Sequence, residues 1–266
     1  RRTACISSQV GCAMGCTFCA TAIGGLERNL QTGEITAQVL AINHDLAGQG
    51  LGPLTNVVFM GMGEPLANYA RVVAAIRLIN EGVGIGQRHI TLSTSGLAPQ
   101  IRKLADEGLQ ITLALSLHQV TDAERELTMP ITKRYPIAEL MEACRDYVRT
   151  TGRRVSFEYA LMAGENDSPE HAQKLADLAA PLGAHVNLIP LNPVRGAGHQ
   201  RPTDAAVSRF RNLLEAEGVA ASVRRSRGLD IDAACGQLRR RVEQEAPDEP
   251  GKASAPLGGE PTECPS

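Results

Sequence analysis

Short apolar runs rich in β-branched residues alternate along the chain with longer amphipathic stretches, the pattern of parallel strands joined by helices. Six runs read as strands: "ACISS" (4 to 8), "NVVFM" (56 to 60), "HITLST" (89 to 94), "ITLALSL" (111 to 117), "RVSFEYAL" (154 to 161) and "HVNLIP" (185 to 190). Helical spacing appears between them. In residues 69 to 80, Tyr69, Val72, Val73, Ile76 and Ile79 share one face, and in 171 to 182 so do Ala172, Leu175, Leu178, Ala179 and Leu182. Cys144 shares a face with Leu140, Met141, Tyr147 and Val148 and reads as core.

Six β/α units can form a doubly wound sheet or a barrel, and periodicity alone does not separate the two. Polar or glycine-rich residues follow the carboxyl end of nearly every predicted strand: a cysteine loop, then "GMGEP", "TSG", "SLH" and "LNP". In parallel barrels that rim carries the site, whereas an open sheet gathers its ligand at one crevice. The expected fold is therefore α/β, with a full or partial barrel favoured.

Composition narrows the picture. A 266-residue chain that is 43% hydrophobic is long enough for one large domain. The net charge of −2 conceals an acidic end: residues 243 to 266 hold six Asp or Glu and one Lys, which leaves the body at +3. That end is rich in Pro, Gly, Glu and Ser and nearly free of large apolar side chains, so it is expected to be a disordered tail behind a core domain of residues 1 to 242. Cys264 within it reads as an incidental thiol. No run of eighteen apolar residues exists and the first twenty residues lack a signal-peptide pattern, so a cytoplasmic protein with no membrane partner is expected. In that compartment clustered cysteines serve metal binding or redox chemistry more often than disulfides.

Four of the seven cysteines fall in "CISSQVGCAMGCTFC", residues 5 to 19. Cys12, Cys16 and Cys19 stand at C-x3-C-x2-C, and Cys5 stands seven residues before the first. Zinc and an iron–sulfur cluster are both open at this point. A structural zinc site wants four protein ligands, and Cys5 on a strand reaches awkwardly towards a shared tetrahedral centre. Three cysteines on a [4Fe-4S] cluster leave one iron open for a substrate or cofactor.

The loop "CAMGCTFC", with an aromatic residue just before its last cysteine, resembles that of the radical S-adenosylmethionine (SAM) enzymes, in which the open iron binds SAM and the reduced cluster cleaves it to a 5′-deoxyadenosyl radical. Taken together, "CISSQVGCAMGCTFCATA", "VFMGMGEPLANY", "TLSTSGL", "LALSLH", "LIPLNP" and "RGLDIDAACGQL" are similar in order and content to the RlmN family of dual-specificity RNA methyltransferases, over residues 1 to about 240. The resemblance implies a partial (β/α)6 barrel of the radical SAM type. It also implies methylation at C2 of an adenosine in 23S rRNA and of one in tRNA, a [4Fe-4S] cluster on Cys12, Cys16 and Cys19, and two SAM molecules per turnover. An electron donor such as a flavodoxin would be a partner.

Residue by residue, the resemblance makes Gly63, Glu64, Ser95, Ser116, Leu117, His118 and Asn192 contacts to SAM, with Phe18 shielding the cluster. The residues themselves say less. Gly61 and Gly63 permit close backbone approach and Glu64 offers an acceptor for an ammonium, but a plain turn after a strand has the same composition. Ser95, Ser116, His118 and Asn192, each taken alone, are ordinary polar residues at strand ends.

Cys235, between small residues in "DIDAACGQL", would be the methyl carrier by the same resemblance, and Cys5 the thiol that attacks it and releases the methylated base through a disulfide. Such a route suits the chemistry, because adenine C2 is a weak nucleophile and is not expected to attack a SAM methyl group directly. Arg224, Arg225, Arg227, Arg239, Arg240 and Arg241 surround Cys235 in sequence and suit phosphate contacts, although a solvated charged face reads the same way. The family carries a helical RNA-binding domain upstream of the first strand, with a glutamate proposed as proton acceptor. Neither is in this sequence, so no general base is assigned and unaided turnover is in question. Competing expectations are C8 methylation of the same rRNA adenosine, a non-catalytic zinc or redox-sensing protein, and a radical enzyme acting on a small molecule.

Overall fold

The structure, a computed structural model, describes residues 1–192 and 198–224. Cys235, Cys264, Arg225, Arg227, Arg239, Arg240, Arg241 and the expected tail of residues 243–266 lie outside the described residues.

Seven parallel strands form one sheet. In chain order the elements are β1 (Thr3–Cys5), β2 (Gln9–Gly11), β3 (Leu26–Asn29), α1 (Thr32–Gly48), β4 (Asn56–Phe59), α2 (Tyr69–Glu81), β5 (Ile90–Thr94), α3 (Ala98–Ala105), β6 (Thr112–Ser116), α4 (Asp122–Thr128), α5 (Ile137–Thr151), β7 (Val155–Leu161), α6 (Pro169–Ala179), β8 (His185–Pro190), α7 (Asp204–Ala216) and β9 (Ala221–Val223). The sheet runs β1-β4-β5-β6-β7-β8-β9, and β2 and β3 form a separate antiparallel ribbon. Among the described residues β1 and β9 each have one neighbour, so the curled sheet stays an open, partial barrel.

All six predicted strands are present, each within a few residues of its predicted ends. The largest difference is the first. "ACISS" leaves the ladder after Cys5, because the Ser8 and Gln9 N–H groups turn to the Met62 carbonyl and the Ser7 N–H turns to the Gln38 side chain. The seventh strand, β9, continues the sheet beyond the six expected. The helix expected over 171 to 182 runs as α6 and closes with a 3-10 turn at Ala180–Leu182.

Period-2 alternation divides the sheet into two faces. Ala4, Val57, Phe59, Ile90, Leu92, Leu113, Leu115, Val155, Phe157, Val186 and Leu188 are buried against helix residues such as Val72, Ile76, Ile101, Leu140 and Leu175. Cys144 sits fully buried in that layer, as expected. The other face carries Cys5, Ser93, Ser116, Glu158, Asn187 and Ser222, placed side by side by the register Ser116↔Glu158↔Asn187↔Ser222. This inner face is therefore polar, and the carboxyl ends of its strands open on one rim.

Candidate active site

The cysteine loop is clasped at its base by the β2–β3 ribbon, which pairs Gln9 with Asn29 and Gly11 with Leu26. Gly11 adopts φ 78°, and a Cβ there would collide with the Gly25 carbonyl, so the ribbon closes only with glycine. The Cys12 N–H then donates to the Gly25 carbonyl at 2.8 Å, and Cys19 N–H donates to the Cys16 carbonyl at 3.1 Å, folding the two cysteines into one turn. Thr17 between them is held from two sides. Its N–H donates to the Thr128 carbonyl at 3.0 Å, and its hydroxyl meets His199 Nε2 at 3.0 Å. Glu165 holds the other ring nitrogen of His199 at 2.9 Å. Phe18 meets the His118 ring edge-on, with centroids 4.8 Å apart.

Burial pushes the Cys12 thiol up to about 11 and the Cys16 thiol up to about 12, and the loop cysteines raise one another further. Such thiols keep their protons at neutral pH unless a metal displaces them. Among the described residues no group of three or more His, Cys, Asp or Glu side chains closes around a point fit for one ion. The three loop thiols alone fall short of the four protein ligands that a structural zinc site wants. A cluster spreads its thiolates over separate irons, and three soft sulfur donors in a partly buried loop suit it.

The second wall is "GMGEP". Gly63 adopts φ 101°, and a Cβ there would lie 2.5 Å from the Gln9 side chain. Gln9 uses that space. Its side chain accepts from the Glu64 N–H at 2.8 Å and donates to Asn29 at 2.7 Å, joining the glutamate loop to the cysteine ribbon. Asn68 donates to the carbonyls of Ser8 and Leu30 and locks the same junction. The Glu64 carboxylate is buried and accepts from Leu66 N–H, Ser95 N–H and the Ser95 hydroxyl at 3.0, 2.7 and 2.8 Å. Burial raises its pKa, against those hydrogen bonds. Thr94 adds a side-chain hydrogen bond to the same carboxylate, so a cation such as an amino group would share an oxygen with these protein donors.

The third wall comes from the ends of β5 and β6. The hydroxyls of Ser93 and Ser116 meet at 3.2 Å. His118 takes φ 60°, the one non-glycine residue with positive φ among the described residues. Its Nδ1 accepts from the Ala160 N–H at 2.9 Å, which leaves the proton on Nε2, and burial holds its pKa down at about 3. The ring is therefore neutral, and Asn166 fixes its backbone by donating to the His118 carbonyl at 2.8 Å. Behind these residues lies Arg125, fully buried. It donates to the carbonyls of Ser95, Ser116 and Leu117 at 2.6, 3.2 and 3.0 Å and to the Thr132 hydroxyl at 2.8 Å.

Cys12, Cys16, Cys19, Gly63, Glu64, Ser95, Ser116, Leu117 and His118 thus converge on one rim, linked by bonded or electrostatic contacts. Asn192 follows β8 at the same end of the sheet and accepts from Arg201 at 3.1 Å. Cys5 lies on the inner face at the end of β1. The residue is exposed, yet neighbouring atoms desolvate its thiol enough to raise the pKa, against the opposing field of Arg224 and a hydrogen bond from Met60. Arg224, expected to serve phosphate contacts, also acts electrostatically on Glu158. Sequence reasoning missed Arg125, Glu158, Gln9 and the His199–Glu165 pair. The partners of the last pair lie 34 residues apart and its target a further 148 away, and no local pattern links them.

Residues 6–178 match the radical SAM superfamily. Over 239 residues the chain is 54% identical to a probable dual-specificity RNA methyltransferase RlmN of Thermosynechococcus vestitus, covering 90% of this chain and 70% of that relative. The chain belongs to the RlmN family of radical SAM enzymes. Another family member, the dual-specificity RNA methyltransferase RlmN of Anaeromyxobacter dehalogenans, is 50% identical over 268 residues, with 98% of this chain and 71% of that relative covered. A radical SAM methyltransferase from Sphaerobacter thermophilus superposes with a TM-score of 0.86 at 52% identity, over 89% of this chain and 70% of that one. Membership makes this chain a SAM-dependent methyltransferase that uses an iron–sulfur cluster. Among the described residues no helix is long and apolar enough to cross a membrane.

Proposed function

We propose that this RlmN-family chain methylates C2 of adenosine in 23S rRNA and in tRNA, with Cys235 as methyl carrier and Cys5 as the releasing thiol. Cys12, Cys16 and Cys19 would hold a [4Fe-4S] cluster with one open iron. When bound there, that cluster and SAM supply the one-electron chemistry needed to activate a methyl group towards an electron-poor carbon. The chain's own residues do the rest. Glu64 receives the amino group of SAM through its charge, sharing a carboxylate oxygen with its protein donors. Ser95, Ser116, Leu117, His118 and Asn192 line the rim where SAM would be oriented, and neutral His118 with Phe18 keeps water from the loop.

The observation that carries this reading is the placement of Cys5. It sits on the inner face apart from the three-cysteine loop, its residue exposed, with Arg224 opposing the desolvation by neighbouring atoms that raises its pKa. A thiol so placed is free to act on a sulfur in the lumen instead of serving as a fourth ligand. In the release step the Cys5 thiolate attacks the sulfur of Cys235. A sulfur–sulfur bond forms, and the sulfur–carbon bond to the adenine-bound methylene breaks with its electron pair going to carbon, which takes up a proton. Residues 1 to 242 would form the methyltransferase core, residues 243 to 266 a tail without a catalytic part, and a flavodoxin-type protein would supply electrons in the cytoplasm.

The test is peptide mass spectrometry after anaerobic reconstitution with iron, sulfide, reductant and methyl-labelled SAM. Label on the Cys235 peptide is expected, followed by 2-methyladenosine in treated rRNA and tRNA. Full methyl transfer by Cys235→Ala overturns the carrier role, and 8-methyladenosine overturns the C2 assignment.

A further inference from the structure

Arg125 is a buried cation whose bonded partners are all neutral. Its four hydrogen bonds go to three carbonyls and one hydroxyl. Among the described residues no carboxylate pairs with it. Taking a guanidinium out of water is unfavourable unless an anion shares its surroundings. Its helix α4 holds the cysteine loop directly, the Thr128 carbonyl accepting from the Thr17 N–H at 3.0 Å, so Cys16, when ionised, and then Asp122 are the opposite charges that act on it most strongly, while Glu64 meets it only through Ser95. Asp122 is already engaged, accepting from the Ile137 N–H at 2.7 Å.

The anion that would balance Arg125 is thus the cysteine loop in its metal-loaded, ionised form. An iron–sulfur cluster with three thiolates is negative and becomes more so on reduction, and a fixed positive charge in a low-dielectric site favours the more negative state. The same guanidinium grips the carbonyls of Ser95, Ser116 and Leu117 in a rigid fork, as lysine cannot.

We propose that Arg125 is the built-in counter-charge of the cysteine loop, a positioning residue that raises the reduction potential of the cluster and pins the ends of β5 and β6 beside it. The inference rests on the reading that Cys12, Cys16 and Cys19 hold an iron–sulfur cluster. Removing the charge would make the cluster harder to reduce. Giving Arg125 a protein carboxylate instead would cancel its field and act in the same direction.

The experiment is a potentiometric titration, followed by the electron paramagnetic resonance of the reduced cluster, on anaerobically reconstituted wild-type chain and on Arg125→Met, Arg125→Lys, Thr132→Asp and Thr132→Asn. Iron content is measured on each. Arg125→Met and Thr132→Asp are expected to shift the midpoint to more negative potential, beyond the scatter of replicate titrations, whereas Arg125→Lys and Thr132→Asn stay with wild type. Thr132→Asp keeps the arginine and its fork, so it carries the test if Arg125→Met fails to fold. Either charge-cancelling variant, iron-loaded and at the wild-type potential, overturns the inference alone. A wild-type chain that takes up no iron overturns the cluster reading, and this inference with it.

Discussion

Glu64 accepts two hydrogen bonds from Ser95, one from its backbone N–H at 2.7 Å and one from its hydroxyl at 2.8 Å. The two residues lie on successive loops of the rim, after β4 and after β5. Their contact makes one wall of what the chain presents as two separate turns. The carbonyl of the same serine is gripped by Arg125 at 2.6 Å, so Ser95 stands between a buried anion and a buried cation. In the proposed function the amino group of SAM would meet the first of these charges and the cluster the second.

Glu64→Gln should keep the shape of this wall and lose its charge. A hydrogen bond to a charged group contributes roughly 1.5–3 kcal/mol, so the affinity for SAM is expected to fall by roughly ten- to a hundredfold. The melting temperature should also fall, because each carboxylate oxygen accepts from a backbone N–H, of Leu66 or of Ser95, and an amide nitrogen can accept from neither. Equilibrium binding of SAM to the reconstituted chain measures the effect. Unchanged affinity would remove Glu64 from the site.

His199 and Glu165 clamp Thr17 from outside the loop. His199→Ala should leave the three cysteines in place and free the turn that presents Cys16 and Cys19. The expected result is faster loss of iron to a chelator, several-fold by rate, with Glu165→Gln intermediate because its amide can still orient the ring. Chelator-trapped iron release under anaerobic conditions reads this directly, and equal rates in all three proteins would reduce the clamp to a surface contact.

His118 holds a left-handed backbone that histidine adopts with strain, and it is kept there by Asn166 and by the bond from Ala160. His118→Asn suits the same φ but cannot offer both the Nδ1 acceptor and the edge contact with Phe18. We expect a loss of about 1–3 kcal/mol in urea unfolding of the metal-free chain, the cost of leaving a buried N–H unpaired. His118→Ala should lose at least as much. A variant as stable as wild type would show that the ring does not support the fold.

Much of this was legible in the sequence, and the gaps have physical causes. The six predicted strands declare themselves by apolar, β-branched runs bounded by glycine and polar residues, even where, as in β1, only three residues join the ladder, and the cysteine and "GMGEP" loops by spacing. β9 is three residues long, and the β2–β3 ribbon is three residues against four, too short for alternation to register. Arg125 sits in "DAERELT", which reads as a solvated helix. Its burial follows from the way α4 folds back over the ends of β5 and β6, a tertiary fact with no local signal. Cys235, the residue on which the proposed release chemistry turns, is proposed from the family resemblance alone and lies outside the described residues.

Glu158 has a second kind of consequence. It is buried on the inner face, and burial lifts its carboxyl to about 7, against a 2.7 Å hydrogen bond from Asn187 and the field of Arg224. The folded chain therefore binds this proton more tightly than the unfolded chain, in which the carboxyl titrates near its ordinary value. Stability from this group is fully present below about pH 4.5 and is lost as pH rises to about 7, levelling above that. At 1.36 kcal/mol per unit the upper bound is about 3 kcal/mol. Glu158→Gln carries no such titration, so it should match wild type near pH 5 and be more stable at pH 8, by an amount that urea unfolding at the two pH values measures. Arg224→Ala should widen the difference, since Arg224 favours the charged carboxylate. Other titrating groups contribute alike to wild type and Glu158→Gln and cancel between them, so parallel pH profiles would mean that Glu158 is ionised in the folded chain and that its environment is wetter than its burial indicates.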